Sequence, residues 1–128
     1  MTIRTVGPAS AFPNIAAAML AANAGDTVQI ESGYGQESAT VTHNGMIVTG
    51  LASSTGIVLQ LDAGIATFTA DGRAPFTILD APDGNGIVDN AGDNLITVSN
   101  GVDAVDGGAG IDRLIVDYPQ ATAAVTGD

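Results

Sequence analysis

Apolar residues along this chain come in short bursts, each closed by a cluster of turn formers. The bursts centre near Val28, Val41, Val48, Val58, Phe68, Ile78, Val88, Ile96, Val105 and Leu114. The later centres lie about ten residues apart and settle to nine at the end. Between them sit Asn44-Gly45, the stretch 52–56, Asp62-Ala63-Gly64, Asp71-Gly72 and the stretch 80–86. Short strands at such even spacing predict a sandwich, a barrel or a solenoid.

One segment breaks this rhythm. Residues 11–24 predict the single helix, with Ser10 as N-cap, Pro13 in the first turn and Gly25 as the stop. The run Ile15-Ala16-Ala17-Ala18-Met19-Leu20-Ala21-Ala22 has high helix propensity. Phe12, Ile15, Met19 and Leu20 are expected to form its apolar face.

Residues 89–115 hold three nine-residue repeats in register: 89–97, 98–106 and 107–115. Position four is Gly92, Gly101 or Gly110, position six is Asn94, Asp103 or Asp112, and position eight is Ile96, Val105 or Leu114. Each repeat reads as one tight turn and one short strand. Glycine permits the positive φ of the turn, and the aliphatic residue fills a narrow core. Two repeats make one coil, so Asn94 and Asp112 stack on one side and Asp103 lies on the other. The fixed short period selects the solenoid among the three architectures. A solenoid exposes an apolar cross-section at its end, which the 11–24 helix is expected to cover. Side-chain carboxylates beside backbone carbonyls at a turn suit a hard cation such as calcium.

The repeats resemble the haemolysin-type (RTX) nonapeptides of secreted bacterial proteins, G-G-x-G-x-D-x-U-x with U a large aliphatic. Residues 107–115 match in full. The second repeat has Val98-Ser99 in place of the glycine pair, and the first has Asp89-Asn90 there and Asn94 in place of aspartate. The resemblance implies bound Ca2+, with Asp112 the leading ligand, carbonyls of Gly107 and Ala109 assisting, then Asp103, with Asn94 and Asp106 as further candidates. It also implies export to the outside of a bacterial cell, or to its surface, without a cleaved N-terminal signal. The helix followed by Gly25-Asp26-Thr27, an alternating strand and Gly33-Tyr34 is similar to the start of pectate-lyase-like β-helix proteins. Together these predict a right-handed parallel β-helix over 1–128: an N-terminal cap (1–25), coils (26–88), an RTX-like β-roll (89–117) and a tail (118–128).

Composition narrows the partners. Three Lys+Arg against 14 Asp+Glu give a formal charge of −11, and 11 of the acids lie from Asp62 onward. So acidic a chain repels nucleic acid, and no stretch is apolar enough for membrane insertion. Cysteine is absent, which excludes disulfides and thiolate metal sites. An uncovered last coil would favour end-to-end self-association.

Catalysis finds little support. His43 is the only histidine and sits at a strand end, and no Gly-x-Ser-x-Gly occurs. A β-helix lyase or epimerase would need a basic residue, and only Arg73 and Arg113 lie in the coils. The expectation is a non-catalytic calcium-binding module. The alternatives are an N-terminal piece of a polysaccharide-active enzyme, or a glycan-binding solenoid using Tyr34 beside Glu31 and Glu37. The Thr-x-Thr units at 40–42 and 67–69 raise an ice-binding ladder as a further reading.

Overall fold

Every apolar centre named above lies in a β-strand of the computed structural model, which describes residues 2–8, 10–51, 53–62, 64–81, 84–99 and 103–116. The order is β1 (Ile3–Val6), α1 (Ile15–Ala21), β2 (Thr27–Ile30), β3 (Glu37–Val41), β4 (Ile47–Gly50) and β5 (Ile57–Leu61). Then follow β6 (Thr67–Gly72), β7 (Phe76–Leu79), β8 (Gly86–Val88), β9 (Leu95–Val98), β10 (Ala104–Asp106) and β11 (Arg113–Val116). The strands alternate between two parallel sheets, β1-β2-β4-β6-β8-β10 and β11-β9-β7-β5-β3. The result is a parallel β-solenoid of about four turns.

The register shows the coil tightening. Val41 pairs with Leu61, Leu59 with Ile78, Ile78 with Ile96, and Ile96 with Leu114, so the second sheet steps by 20, 19, 18 and 18 residues. The predicted eighteen-residue coil is therefore reached at β7 and held to β11. Side chains alternate across each strand, and the inner set fills the space between the sheets. Val28, Val48, Phe68 and Ile87 from one sheet face Val41, Leu59, Phe76, Ile78 and Ile96 from the other, all buried. Phe76 fits because Gly50 has no side chain: a Cβ there would meet the Phe76 ring at 3.4 Å and the Ala74 methyl at 2.9 Å.

The cap is built differently from expectation. The helix runs over Ile15–Ala21 rather than 11–24, and Asn14, not Ser10, is the N-cap, its Oδ1 accepting from Ala17 N at 2.7 Å. The Ser10 hydroxyl instead donates to Glu31. Ser10 and Ala11 bend, and Phe12 bridges to Val6 of β1, with Phe12 N donating to Thr5 O and Gly7 N to Phe12 O, so this stretch does not join the helix. The helix ends at Ala22, three residues before the predicted glycine stop. Its buried face is Ile15, Ala18, Met19 and Ala22, while Leu20 is 90% exposed. A face of alanines lets the helix lie close to its neighbours, and it packs on β3, β1 and β2. Glu37 on β3 accepts from Ile15 N at 2.8 Å and from Ala16 N at 2.9 Å, satisfying two of the free amides of the first turn. Strand β1, absent from the predicted set, adds a parallel partner to β2. Together β1 and α1 cover the first coil. At the other end β10 and β11 are outermost, and Ile111, Leu114, Ile115 and Val116 are exposed. The predicted tail at 118–128 and Gly101 of the second repeat lie outside the described residues.

Candidate cation site at the turns of the last coils

At each turn the backbone leaves the sheets, and its amides and carbonyls need partners other than strand neighbours. This chain supplies them with a ladder of short polar side chains spaced by nine. Asn94 Oδ1 accepts from Phe76 N at 3.0 Å, and Asp112 Oδ1 accepts from Asn94 N at 3.0 Å. On the opposite turn edge Asp103 Oδ1 accepts from Asn85 N at 2.9 Å. Each rung reaches back 18 residues, one coil. Asn85 belongs to this ladder, so the nine-residue register begins at 80–88, one repeat before the sequence pattern suggested. Inner rungs are amides because they must also donate. Asn94 Nδ2 reaches Gly92 O at 2.9 Å and Asn90 Oδ1 at 3.0 Å, and Asn90 Nδ2 reaches Ala74 O at 2.9 Å. The outermost rungs only accept, and there the residues are aspartates.

The glycines set how closely the coils approach. Gly110 has φ +100°, and a Cβ on it would stand 2.6 Å from Gly92 O. Gly108 has φ +77°, and a Cβ there would collide with Asn90 O. A Cβ on Gly107 would stand 2.7 Å from Asp112 Oδ2. Backbone carbonyls and the Asp112 carboxylate are thus packed into one small turn. A cavity of about 210 Å³ opens beside it, lined by Asp112, Gly107, Gly108 and Leu114 among others.

The predicted ligands fall into three settings. Asp112 and Gly107 are together at this turn. Asp103 is on the opposite edge. Asn94 is buried, with its oxygen already accepting from Phe76 N–H. Asp106 is exposed and accepts from Gly108 N at 3.0 Å. Ala109 is exposed in the same turn as Asp112. Among the described residues no three carboxylate, histidine or cysteine side chains converge. A cation here would therefore draw on backbone carbonyls as well.

Two acids escaped sequence reasoning. Asp89 and Asp80 occupy position one of successive repeats, where the RTX pattern has glycine. Asp89 is 4% exposed, and its Oδ2 has no hydrogen-bond partner. Burial pushes its carboxyl up to about 7, with the Asp112 charge adding in the same direction and the bond from Asn90 N opposing. Asp80 is raised too, first by burial, while the bonds from Ser99 pull it down and Asp103 pushes it up. Each position-one acid therefore faces the position-six acid 23 residues later. Only the nine-residue spacing of Asp80 and Asp89 signalled this.

His43 Nδ1 lies 3.0 Å from Thr42 Oγ1. Tyr34 is half-buried against the core, and its hydroxyl donates to Glu37. The outer face of the first sheet has a groove of about 350 Å³ along Thr67, Thr69 and Val88, but Phe68 beneath it is buried. Thr40 and Thr67 lie on different sheets and form no common ladder. Among the described residues no helix is long and apolar enough to cross a membrane. No known protein family, curated protein or solved structure matches the chain.

Proposed function

We propose that this chain is a non-catalytic, calcium-stabilised β-solenoid module of a secreted or cell-surface bacterial protein. The observation that carries the reading is the packing of the outermost turn. Gly108 and Gly110 bring the carbonyls of Asp89, Asn90 and Gly92 from the coil before into close approach, and the Asp112 carboxylate lies against Gly107 in the same turn. That donor set, hard oxygens from carboxylate and carbonyl, is the one calcium takes. Asp112 with the carbonyls of Gly107 and Ala109 would hold one ion, and Asp103 would serve the opposite edge. Bound calcium supplies positive charge that offsets carboxylate repulsion in a chain of formal charge −11.

The residues themselves do the rest. Asp112 fixes the turn through Asn94, and the ladder transmits that order to Phe76 one coil further in. Without the ion the carboxylates of the outer coils repel one another; with it the coils stack. A ligand that binds only the folded state adds RT ln(1 + [L]/Kd), about 2.7 kcal/mol at a hundredfold excess over Kd. Asp112→Ala should therefore lose most of the calcium-dependent rise in melting temperature, whereas Asp62→Ala, at an exposed turn, should keep it. Equal losses from both variants would remove the site assignment.

A further inference from the structure

The two position-one aspartates occupy equivalent places in successive repeats but are satisfied differently. Asp80 Oδ2 accepts from Ser99 N at 2.9 Å, and its Oδ1 accepts from the Ser99 hydroxyl at 2.9 Å. Both of its oxygens therefore have protein donors. Nine residues on, Ser99 becomes Gly108, which has no hydroxyl, and its N–H is turned to Asp106 Oδ1 at 3.0 Å. Asp89 keeps one bond, from Asn90 N to Oδ1 at 2.9 Å, and its Oδ2 is left buried with no partner. A buried carboxylate oxygen without a donor is costly, and native folds leave few of them.

The surroundings of that oxygen suit a cation. Asp106 pairs with Val88 in the β8–β10 register, so Gly107 stacks directly on Asp89. Asp112 Oδ2 lies against Gly107, on the side a Cβ would fill. The carbonyls of Asp89 and Asn90 both face Gly108. Among the described residues no arginine forms an ion pair with Asp89 or Asp112; Arg4 is spent on Asp26 at the capped end. The cavity at this turn opens beside Asp112, Gly107 and Gly108, with Arg113 also on its wall.

We propose that Asp89 and Asp112 form a divalent-cation site that bridges the last two coils, with the buried Asp89 as a direct ligand. The proposal rests on the calcium reading above and adds a ligand that the repeat pattern does not contain. The cation takes, at Asp89, the place that the two Ser99 donors take at Asp80. The site is therefore particular to the one turn where an aspartate at position one meets a glycine at position two of the next coil.

The test is calorimetric titration of CaCl2 into the full EDTA-treated chain, beside Asp89→Asn and Asp62→Asn. Each substitution removes one unit of charge and keeps side-chain size. Asp89→Asn should weaken calcium binding at least tenfold and raise the melting temperature in EDTA, because a buried carboxylate has become a neutral amide. Asp62→Asn should stay within about twofold. Unchanged affinity in Asp89→Asn, with the wild type binding calcium, overturns this proposal and leaves the calcium reading standing. No binding by the wild type overturns both. Should Asp89→Asn fail to fold, carboxyl-carbon resonances of ¹³C-aspartate-labelled wild type decide the matter. Asp89 and Asp112 should shift together on adding CaCl2, and a shift of Asp112 alone overturns the proposal.

Discussion

At the scale of single residues, what matters in this chain is whether a buried polar atom has a donor. Ser99 supplies one to each Asp80 oxygen. Ser99→Ala removes the hydroxyl that donates to Asp80 Oδ1, and should cost about 1–3 kcal/mol by urea denaturation. A change within a few tenths of that baseline would mean the turn relaxes or admits water. At the capped end, Tyr34 donates to Glu37, which in turn holds the first helical amides. Burial, then the Glu37 carboxylate, push the Tyr34 phenol up to about 12. The folded state thus holds this proton more tightly than the unfolded chain does. The stability it contributes is complete below pH 10 and is lost as pH rises toward 12. Phenolate absorbance that disappears in Tyr34→Phe should develop near pH 12; development near pH 10 would contradict the buried bond. Asp112 and Asp103 stood out in the sequence because they follow a six-position rule. Asp89 and Asp80 did not, because their role depends on what stacks on them one coil later, at Ser99 and Gly108.

At the scale of elements, the strands were legible and the helix ends were not. Apolar bursts bounded by turn residues marked β2 to β11, since an inward-facing aliphatic set is what a two-sheet core demands. Strand β1 was overlooked because Ile3–Val6 lies ahead of the helix, outside the even spacing of the later strands, and it is fixed by pairing with β2. The helix was overextended because propensity favours 11–24, while contacts to β1 and Glu37 decide where it begins. Leu20 was assigned inward by spacing, but the helix turns Ala18 and Ala22 to the core instead. Within the stack, Ile78 is fully buried between Leu59 and Ile96 in the register of the second sheet. Ile78→Ala should cost about 2–5 kcal/mol, read as a lower denaturation midpoint with unchanged slope. A cost below 1 kcal/mol would mean the narrow core closes over the gap.

At the scale of the whole molecule, the chain is asymmetric. One end is covered by β1 and α1 and is tied by the Arg4–Asp26 ion pair at 3.0 Å. Three bonds lower the Asp26 carboxyl, first from Asn23 N, then Thr2 N and Arg4. The other end gathers Asp103, Asp106 and Asp112 on thin coils whose aliphatics are partly exposed. Buried apolar side chains run from Val6 to Val98, and among the described residues beyond Val98 the apolar side chains are partly or fully exposed. Calcium, as proposed, would add stability to these outer coils. The direct test is thermal melting of EDTA-treated protein, followed by far-UV circular dichroism, across a calcium titration from micromolar to millimolar. Calcium should give a saturable rise in melting temperature that magnesium at equal concentration does not reproduce. A melting temperature indifferent to calcium, in protein already folded in EDTA, would contradict it and leave the polar ladder and apolar stack as the sole supports of the fold.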